Sequence, residues 1–471
     1  MDGEKIPRLI ALDGGLDAVA TIVRAVADRG GRALLVGGCV RDALLGVRPK
    51  DIDIEVHGID AEALEGVLRR DFEIIAVGQA FGVFKVKGRG IDVALPRRES
   101  KSGRGHRGFT VRGDPFMPLA EAAARRDFTV NAIYWDPQTG ELLDPHGGRR
   151  DLGAGVLRHT SPAFAEDPLR VLRAMQFVAR FELTPAPETV ALCRSVGHEG
   201  LPAERVFEEW SKLLLKGRKP SLGLGFLRDC GWVRHYPELE ALVGVAQDQE
   251  WHPEGDVWAH TIYSLDAFAE RRTGDGWEDL VVGLAVLCHD FGKAVATKKE
   301  ADGRWHAYGH EAAGVPLAQA FLERMTRHRE LIEAVLPLVE LHMRPLELWR
   351  AKAGDAAVRR LARKAGRLDR LVRVDDADRR GRPPQRPQES PQGVWLLERA
   401  AALALEDSAP RRILMGRHLV ALGLEPGPGF RPLLDEAFEA QLDGAFGDDA
   451  GALAWAKARL ASRDGATRRP R

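Results

Sequence analysis

The spacing of apolar positions changes twice along this chain. Residues 1–30 carry Leu16, Val19, Ile22, Val23 and Val26 at helical intervals, which predicts an amphipathic helix. From about Arg32 to Arg158 the apolar runs shorten and glycine-rich turns divide them. Strands are expected at Ala33–Val36, Ile52–Val56, Gly82–Val86 and Ile91–Leu95. From about Pro162 the 3.6-residue period returns and persists, and Glu166–Phe181 and Ala203–Leu215 read as helices. A third block opens near Trp251 and runs to about Arg382. The prolines of RPPQRPQESPQG then mark a linker or exposed loop. The rest reads as helical, with a turn at Glu425–Gly429 and a disordered end at GATRRPR. No internal repeat is visible.

At 471 residues the chain is too long for one ordinary domain and suggests roughly three, at about 150 residues each. Its four cysteines, Cys39, Cys193, Cys230 and Cys288, lack C-x-x-C spacing. That fits a reducing compartment and argues against a disulfide framework or a zinc finger. The first residues, MDGEKIPRLIALDGG, are acidic early and carry no apolar core, unlike a signal peptide. The longest apolar run, Leu280 to Cys288, is far shorter than the ~20 residues that span a bilayer. A cytoplasmic, membrane-free protein is expected. With 69 basic and 69 acidic residues the net charge is zero, so any phosphate-binding surface must be a local patch.

The chemistry concentrates in LLVGGCVRDALLGVRPKDIDIEV, Leu34 to Val56. A short strand runs into Gly37-Gly38 and a helix opens near Val40. Glycines at a strand-to-helix turn let backbone N–H groups approach a phosphate, and Arg41 adds a cation; a plain turn also accounts for two glycines. In Asp51-Ile52-Asp53-Ile54-Glu55-Val56, alternation puts the three acids on one face and the three apolar residues on the other. Two carboxylates about 7 Å apart along a strand can converge on Mg²⁺, a hard cation that takes oxygen ligands. A solvated strand face is the alternative, which the adjoining glycine loop disfavours. Asp92, on a strand able to pair with Gly82–Val86, is either a third ligand or an edge-strand aspartate.

GGCVRDALLG followed by DID resembles the signature of the class II tRNA nucleotidyltransferase and bacterial poly(A) polymerase family. The resemblance implies an α+β fold with a polymerase-β-like nucleotidyltransferase head, an all-α neck, an HD-type helical domain and a helical tail. The corresponding segments are 1–160, 161–249, 250–382 and 383–471. It implies that Gly37, Gly38, Arg41 and Asp42 contact the nucleotide while Asp51 and Asp53 hold Mg²⁺ and carry the chemistry. RRDFTVNA, from Arg125, is similar to the family's RRDFTINA motif and implies ribose and phosphate contacts from Arg126, Asp127 and Asn131. EDPLR, from Glu166, resembles EDxxR. Asp167 and Arg170, three apart, would share a helix face. A fixed carboxylate accepts from an exocyclic amine and a fixed guanidinium donates to a ring acceptor. One such pair admits the Watson–Crick edges of cytosine and adenine and rejects those of uracil and guanine. Arg173 is implied as a triphosphate contact; at Gln176 the HD-bearing relatives often carry arginine, so no contact is carried over there. The basic stretch Pro96–Pro115 resembles the family's loop that switches C to A addition, which favours full CCA or A addition; a surface loop is the plain alternative.

His260, His289-Asp290 and Asp378 match the H…HD…D pattern of metal phosphohydrolases, with His310 and His342 as further candidates. Imidazole with carboxylate suits Mg²⁺ or a transition metal that activates water. Relatives with this layout trim 2′,3′-cyclic and 2′-phosphates from RNA. The C-terminal GRHLVALGLEPGPGFRPLLDEAFEAQLDG resembles the tail of HD-bearing members and is expected to help grip tRNA. The resemblance implies tRNA as partner and CTP and ATP as substrates. The rivals are a poly(A) polymerase, an A-adding or CC-adding enzyme, and an RNA-binding or nucleotide-sensing regulator with HD hydrolase activity only. Poly(A) polymerases carry an arginine-rich stretch where this chain has Val77–Gly88, and usually lack the HD block. Intact DxD, RRD and EDxxR sets argue against the regulator.

Overall fold

The computed structural model describes residues 15–76, 82–101, 109–384 and 390–467, and the chain divides into two compact units, Met1–His235 and Tyr236–Arg471.

The first unit is built on a seven-stranded sheet of order β3-β4-β5-β2-β1-β8-β9. Its strands are β1 (Arg32–Val36), β2 (Ile52–His57), β3 (Ile74–Ala76), β4 (Val83–Val86), β5 (Ile91–Ala94), β8 (Tyr134–Trp135) and β9 (Leu142–Leu143). The four expected strands are all present. β3, β8 and β9, of two or three residues, are too short to show a period. Helix α1 (Gly15–Ala27) lays Val19, Ile22, Val23 and Val26 into the core that backs the sheet; residues 1–14 of the expected helix lie outside the described residues. Ile52, Ile54 and Val56 of β2 enter that core, and Asp53 points the other way, as a two-residue period requires. β2 pairs with β5 in parallel, in a register that sets Asp53 beside Asp92. The stretch Pro96–Pro115 contains a hairpin, β6 (Arg97–Lys101) with β7 (Phe109–Gly113); residues 102–108 lie outside the described residues, as do 77–81 of Val77–Gly88.

Helix α2 (Gly38–Leu44) follows β1, α3 (Ala61–Asp71) packs against α1, α4 (Leu119–Ala124) sets Ala123 against Leu34 and Val36 of β1, and α5 (Leu169–Phe181) packs against α6 (Ala203–Lys216) and α7 (Pro220–Asp229). The helix expected over Glu166–Phe181 begins only at Leu169. A 3₁₀ turn covers Pro162–Glu166, and Asp167 is extended at φ −117°, ψ 101°. Pro168 is the reason, because proline drives the preceding residue out of the helical region. Asp167 and Arg170 therefore do not share a helix face; Asp167 stands just ahead of the helix that carries Arg170.

The second unit is helical: α8 (Val257–Glu270), α9 (Gly276–Cys288), α10 (His310–Met325), α11 (Arg329–Leu341), α12 (Leu368–Arg380) and α13 (Pro391–Ala402). Every residue from Val281 to Cys288 is buried, so α9 runs through the middle of the bundle. Residues 236–249, expected in the neck, pack with this unit: the Tyr236 ring meets Phe321, and Arg324 grips Glu238. The proline stretch read as an exposed linker ends buried. Ser390 caps α13 and, with Gln392, donates to buried Asp375. Helices α14 (Gly416–Ala421), α15 (Phe430–Leu442) and α16 (Asp449–Thr467) form a small cluster around Leu419, Leu433 and Ala452. Of the end read as disordered, residues 465–467 belong to α16, and 468–471 lie outside the described residues. Among the described residues no helix is long and apolar enough to cross a membrane.

Candidate functional site

Among the described residues each unit gathers a polar centre. In the first, a cleft of about 750 Å³ opens where β2, the β1–α2 turn and α5 meet. Ten Arg or Lys side chains and six carboxylates line it, so a chain of zero net charge places a cationic patch here.

The turn requires glycine. Gly37 has φ +82°, and a Cβ there would meet the Arg126 guanidinium at 3.2 Å and an Asp53 oxygen at 3.4 Å. The backbone thus lies against both the carboxylate pair and the first residue of the ribose-contact motif. Asp51, Asp53 and Asp92 line one wall of the cleft. Asp53 faces the cleft yet is enclosed by its walls. Enclosure raises its pKa, the Asp92 and Asp51 charges raise it further, and Arg126 and Lys85 oppose them. Clustered carboxylates with that excess of negative charge suit a divalent cation with oxygen preference, so the residues fit Mg²⁺. Lys85, 2.8 Å from Asp92, offsets part of that charge.

Glu55, two residues on, plays another part. It accepts from Arg126 at 2.9 Å and from the Tyr134 hydroxyl at 2.9 Å. Burial pushes its pKa up, but Arg126, His57 and Tyr134 outweigh that and hold it at about 2. Glu55 is the anchor that aims Arg126. A second chain of hydrogen bonds joins the other motifs. Arg173 donates to Asp127 at 2.8 Å, Asn131 donates to Asp127 at 2.9 Å, and Arg41 donates to Asn131. The Arg41 guanidinium lies over the Phe181 ring at 4.4 Å.

Gly37, Gly38, Arg41, Arg126, Asp127, Asn131, Asp167, Arg170 and Arg173 all line this cleft with Asp51 and Asp53. Asp42 does not. It is buried behind Arg41, whose Nε donates to its carboxylate at 2.9 Å, so it orients Arg41 rather than reaching a ligand. Asp167 accepts from the Leu169 N–H and from Arg205, and Arg170 donates to the Ala163 and Arg125 carbonyls. Both are fixed at the helix start, which is what reading a base edge demands. Sequence reasoning missed Arg180, Arg205, Lys212 and Lys216. Burial, then Arg180, Lys212 and Lys50, push the Lys216 pKa down, the mark of crowded cations facing an anion site.

In the second unit, His260, His289, Asp290, His310, His342 and Asp378 converge, all buried. Asp290 and Asp378 are charged: burial opposes this, but His289 and Lys293 for the one, and Arg382 and His260 for the other, hold them well below the carboxylate range. The His342 imidazole is pushed down to about 3 by burial and by the neighbouring His289 and His310. Glu254, which sequence reasoning missed, accepts from His260 Nδ1 at 2.7 Å and turns Nε2 inward. Burial raises its pKa, but His252 and His260 win and hold it at about 2. A cavity of about 780 Å³ opens onto this centre, lined by Trp251, Lys293, Tyr308, Arg379 and Arg382. Four imidazoles, two carboxylates and buried polar atoms without partners fit a divalent cation.

The family described as Poly A polymerase head domain matches residues 33–158. The chain is 40% identical over 412 residues to a multifunctional CCA protein of Xanthomonas campestris, covering 84% of this chain and 94% of that one. A multifunctional CCA protein of Alkalilimnicola ehrlichii is 38% identical over 392 residues, covering 80% and 91%. Among solved structures, a Bacillus stearothermophilus CCA-adding enzyme in complex with CTP superposes with a TM-score of 0.65 at 22% identity, covering 95% of this chain and 98% of that one. A Thermotoga maritima CCA-adding enzyme complexed with tRNA gives 0.60 at 20% identity, covering 97% and 98%. At those identities the structural likeness speaks for the fold.

Proposed function

Because this chain belongs to the family of CCA-adding enzymes and poly(A) polymerases, we propose that it adds and repairs the 3′-terminal CCA of tRNA from CTP and ATP, releasing pyrophosphate. The observation that carries this reading is the cleft that gathers the carboxylate pair, the glycine turn and both arginine motifs on one cationic surface. The whole-length likeness to multifunctional CCA proteins supports CCA addition over poly(A) synthesis. A tRNA substrate also fits a cytoplasmic protein.

Asp51 and Asp53 would hold Mg²⁺, which when bound lowers the cost of the charge that develops on the α-phosphate. The protein's own residues do the positioning. Arg41 and the Gly37-Gly38 turn meet the nucleotide, Arg126 and Asn131 fix the ribose and phosphate, and Arg173 meets the triphosphate. The tRNA 3′-oxygen bonds to the α-phosphorus, its proton is lost, and the bond to pyrophosphate breaks. Asp167 accepts from the exocyclic amine of cytosine or adenine, and Arg170 donates to the neighbouring acceptor. Uracil presents a carbonyl to Asp167, and once the base covers that carboxylate an acceptor facing an acceptor costs about 1–3 kcal/mol. The arginines Arg180 and Arg205 and the lysines Lys212 and Lys216 extend the anion surface toward the tRNA end.

In the second unit the ligand set supports a phosphohydrolase reading: His260, His289, Asp290 and Asp378 hold a divalent metal, Mg²⁺ or a transition metal, and the centre opens 2′,3′-cyclic phosphates or removes 2′-phosphates. Repair of damaged tRNA ends would join the two activities. One variant separates them. Asp51→Ala is expected to abolish CMP and AMP incorporation and to leave hydrolysis of 2′,3′-cAMP intact. Incorporation that survived would refute the head assignment. Purified protein without metal and without hydrolysis would remove the second.

A further inference from the structure

Next to the cavity of the second unit runs a groove of about 540 Å³, lined by Trp349, Arg350, Lys352, Ala353, Trp395 and Arg399. Trp349 stands near the end of the short helix Arg344–Arg350, which packs against α13, and Trp395 stands on α13. Elsewhere the chain encloses its tryptophans fully, as at Trp210 and Trp232; Trp349 stays 40% exposed and Trp395 half-buried. Among the described residues neither groove tryptophan stacks on another ring. Their flat faces are open to a ligand.

The charge around those rings has one sign. Three cations line the groove, and among the described residues no carboxylate does. Arg399 is held by Asp355. Arg350 and Lys352 are exposed and, among the described residues, make no ion pair. Lys352 also has a backbone that suits another residue. Its φ is +50°, in the left-handed region that glycine occupies without cost. The turn that ends the helix imposes this, because the Lys352 N–H donates to the Trp349 carbonyl at 3.1 Å and the Ala353 N–H to that of Leu348 at 3.0 Å. A lysine kept where glycine would be unstrained points to a use for its side chain.

The groove does not stand alone. Arg350 also lines the cavity that reaches Asp290 and Asp378, so groove and cavity meet at its guanidinium. The cavity repeats the same composition. Trp251, Trp305 and Tyr308 are exposed along it, and the Tyr308 ring lies parallel to His306 at 5.1 Å. Open aromatic faces interleaved with cations are what an unpaired nucleic-acid strand requires: bases stack on the rings, and phosphates lie against the charges.

Resting on the phosphohydrolase reading of this unit, we propose that the groove holds the nucleotides just before the 3′ end of an unpaired RNA strand whose terminal phosphate lies in the cavity. Trp349 and Trp395 stack bases, Lys352 and Arg399 flank the backbone, and Arg350 takes the phosphate where groove and cavity meet. Every base has a flat face, so the groove accepts ends of any sequence. The centre therefore acts on the end of a strand better than on a mononucleotide.

The test varies strand length. Full-length protein supplied with Mn²⁺ is given 2′,3′-cAMP and unpaired RNAs of two, four and six nucleotides ending in a 2′,3′-cyclic phosphate. The expected result is a kcat/KM that rises about tenfold to a hundredfold from the mononucleotide to the tetranucleotide, carried by KM. Trp349→Ala with Trp395→Ala should remove the rise, and Trp349→Phe, which keeps a stacking face, should retain most of it. Lys352→Glu, at an exposed position, should weaken the hexanucleotide more at low salt than at high salt. Hydrolysis that does not depend on length, or a rise that survives the tryptophan substitutions, overturns the groove and leaves the hydrolase reading standing. Dimerisation that the same substitutions abolish, without any length dependence, gives the groove to a second copy of the chain and also overturns the proposal. No hydrolysis of any substrate overturns both. The length series on the unmutated protein needs no substitution, so a variant that fails to fold does not remove the test.

Discussion

In the head, carboxylates and cations line an open cleft; in the second unit, buried imidazoles and carboxylates stand at the floor of a cavity in a helical bundle. Asp51, Asp53 and Asp92 offer only oxygen, on a wall opposite many arginines. His260, His289, His310 and His342 offer nitrogen, each with its proton pinned on Nδ1 by a carbonyl or by Glu254. The difference follows from what each must hold. A polyanion and a nucleoside triphosphate need a wide cationic surface and a hard metal that exchanges ligands readily. A single ester bond needs a buried set of ligands that keeps its metal in place. The two centres also use acidic residues differently: Glu55 and Glu254 touch no ligand in either reading, and each aims a neighbour.

The largest expected effect tests that separation. Asp51→Ala or Asp53→Ala should lower nucleotide incorporation about a thousandfold, ~4 kcal/mol, in single-turnover assays. His289→Ala should leave incorporation unchanged and abolish hydrolysis of 2′,3′-cAMP. If either substitution damages both activities in a folded protein, the centres are not independent. Metal exchange sharpens the contrast: after chelation, Mg²⁺ should restore incorporation, while Mn²⁺, Co²⁺ or Ni²⁺ should restore hydrolysis better than Mg²⁺.

A smaller effect comes from Gly37→Ala. The left-handed backbone and the Arg126 contact both resist a Cβ. Incorporation should fall about tenfold to a hundredfold (~1.4–2.8 kcal/mol) with hydrolysis unchanged. Unchanged incorporation would mean that the turn is not part of the nucleotide site.

Next is a pH effect in the second unit. Burial raises the Asp375 pKa to about 6, against the bonds from Ser390 and Gln392 and with help from Asp378. The native state therefore holds this proton more tightly than the unfolded chain, whose aspartate titrates near 3.9. The resulting stability is present below the unfolded pKa and is lost as pH rises through about 6. Asp375→Asn removes the titration. Denaturant unfolding should find the variant gaining about 1–2 kcal/mol on the parent between pH 5 and pH 7. A difference that stays flat with pH would refute the raised pKa.

The smallest effect belongs to Tyr134→Phe, which removes one hydrogen bond from Glu55 and loosens Arg126. About 1 kcal/mol, or a few-fold in kcat/KM, is expected. No change would mean that Arg126 is aimed by Glu55 alone.

The parts of the molecule legible in the sequence were those written in local period or in rare chemistry. Alternation placed Asp51 and Asp53 opposite Ile52 and Ile54, and the strands fell where expected. Histidine and aspartate in the order of the HD set are scarce enough to stand out, and the four named side chains lie together. What failed was relational. Asp167 was placed on the helix because spacing alone ignores what Pro168 does to the residue before it. Arg180 and Lys216 gave no signal, since a cation facing a cleft and one facing water have the same local pattern. Asp42 was grouped with its motif, although its carboxylate turns back onto Arg41. Ser390 and Gln392 looked like linker because their partner Asp375 lies on another helix, a contact no local window contains.

The central claim is tested most directly by incorporation into tRNA that lacks its 3′ CCA, with CTP, ATP, both or UTP, resolved on a sequencing gel with Mg²⁺. The account predicts products that stop at two added nucleotides with CTP alone, at three with CTP and ATP, and at none with UTP. Long adenosine tails, or a single adenosine added only to a CC-ended tRNA, would contradict CCA addition.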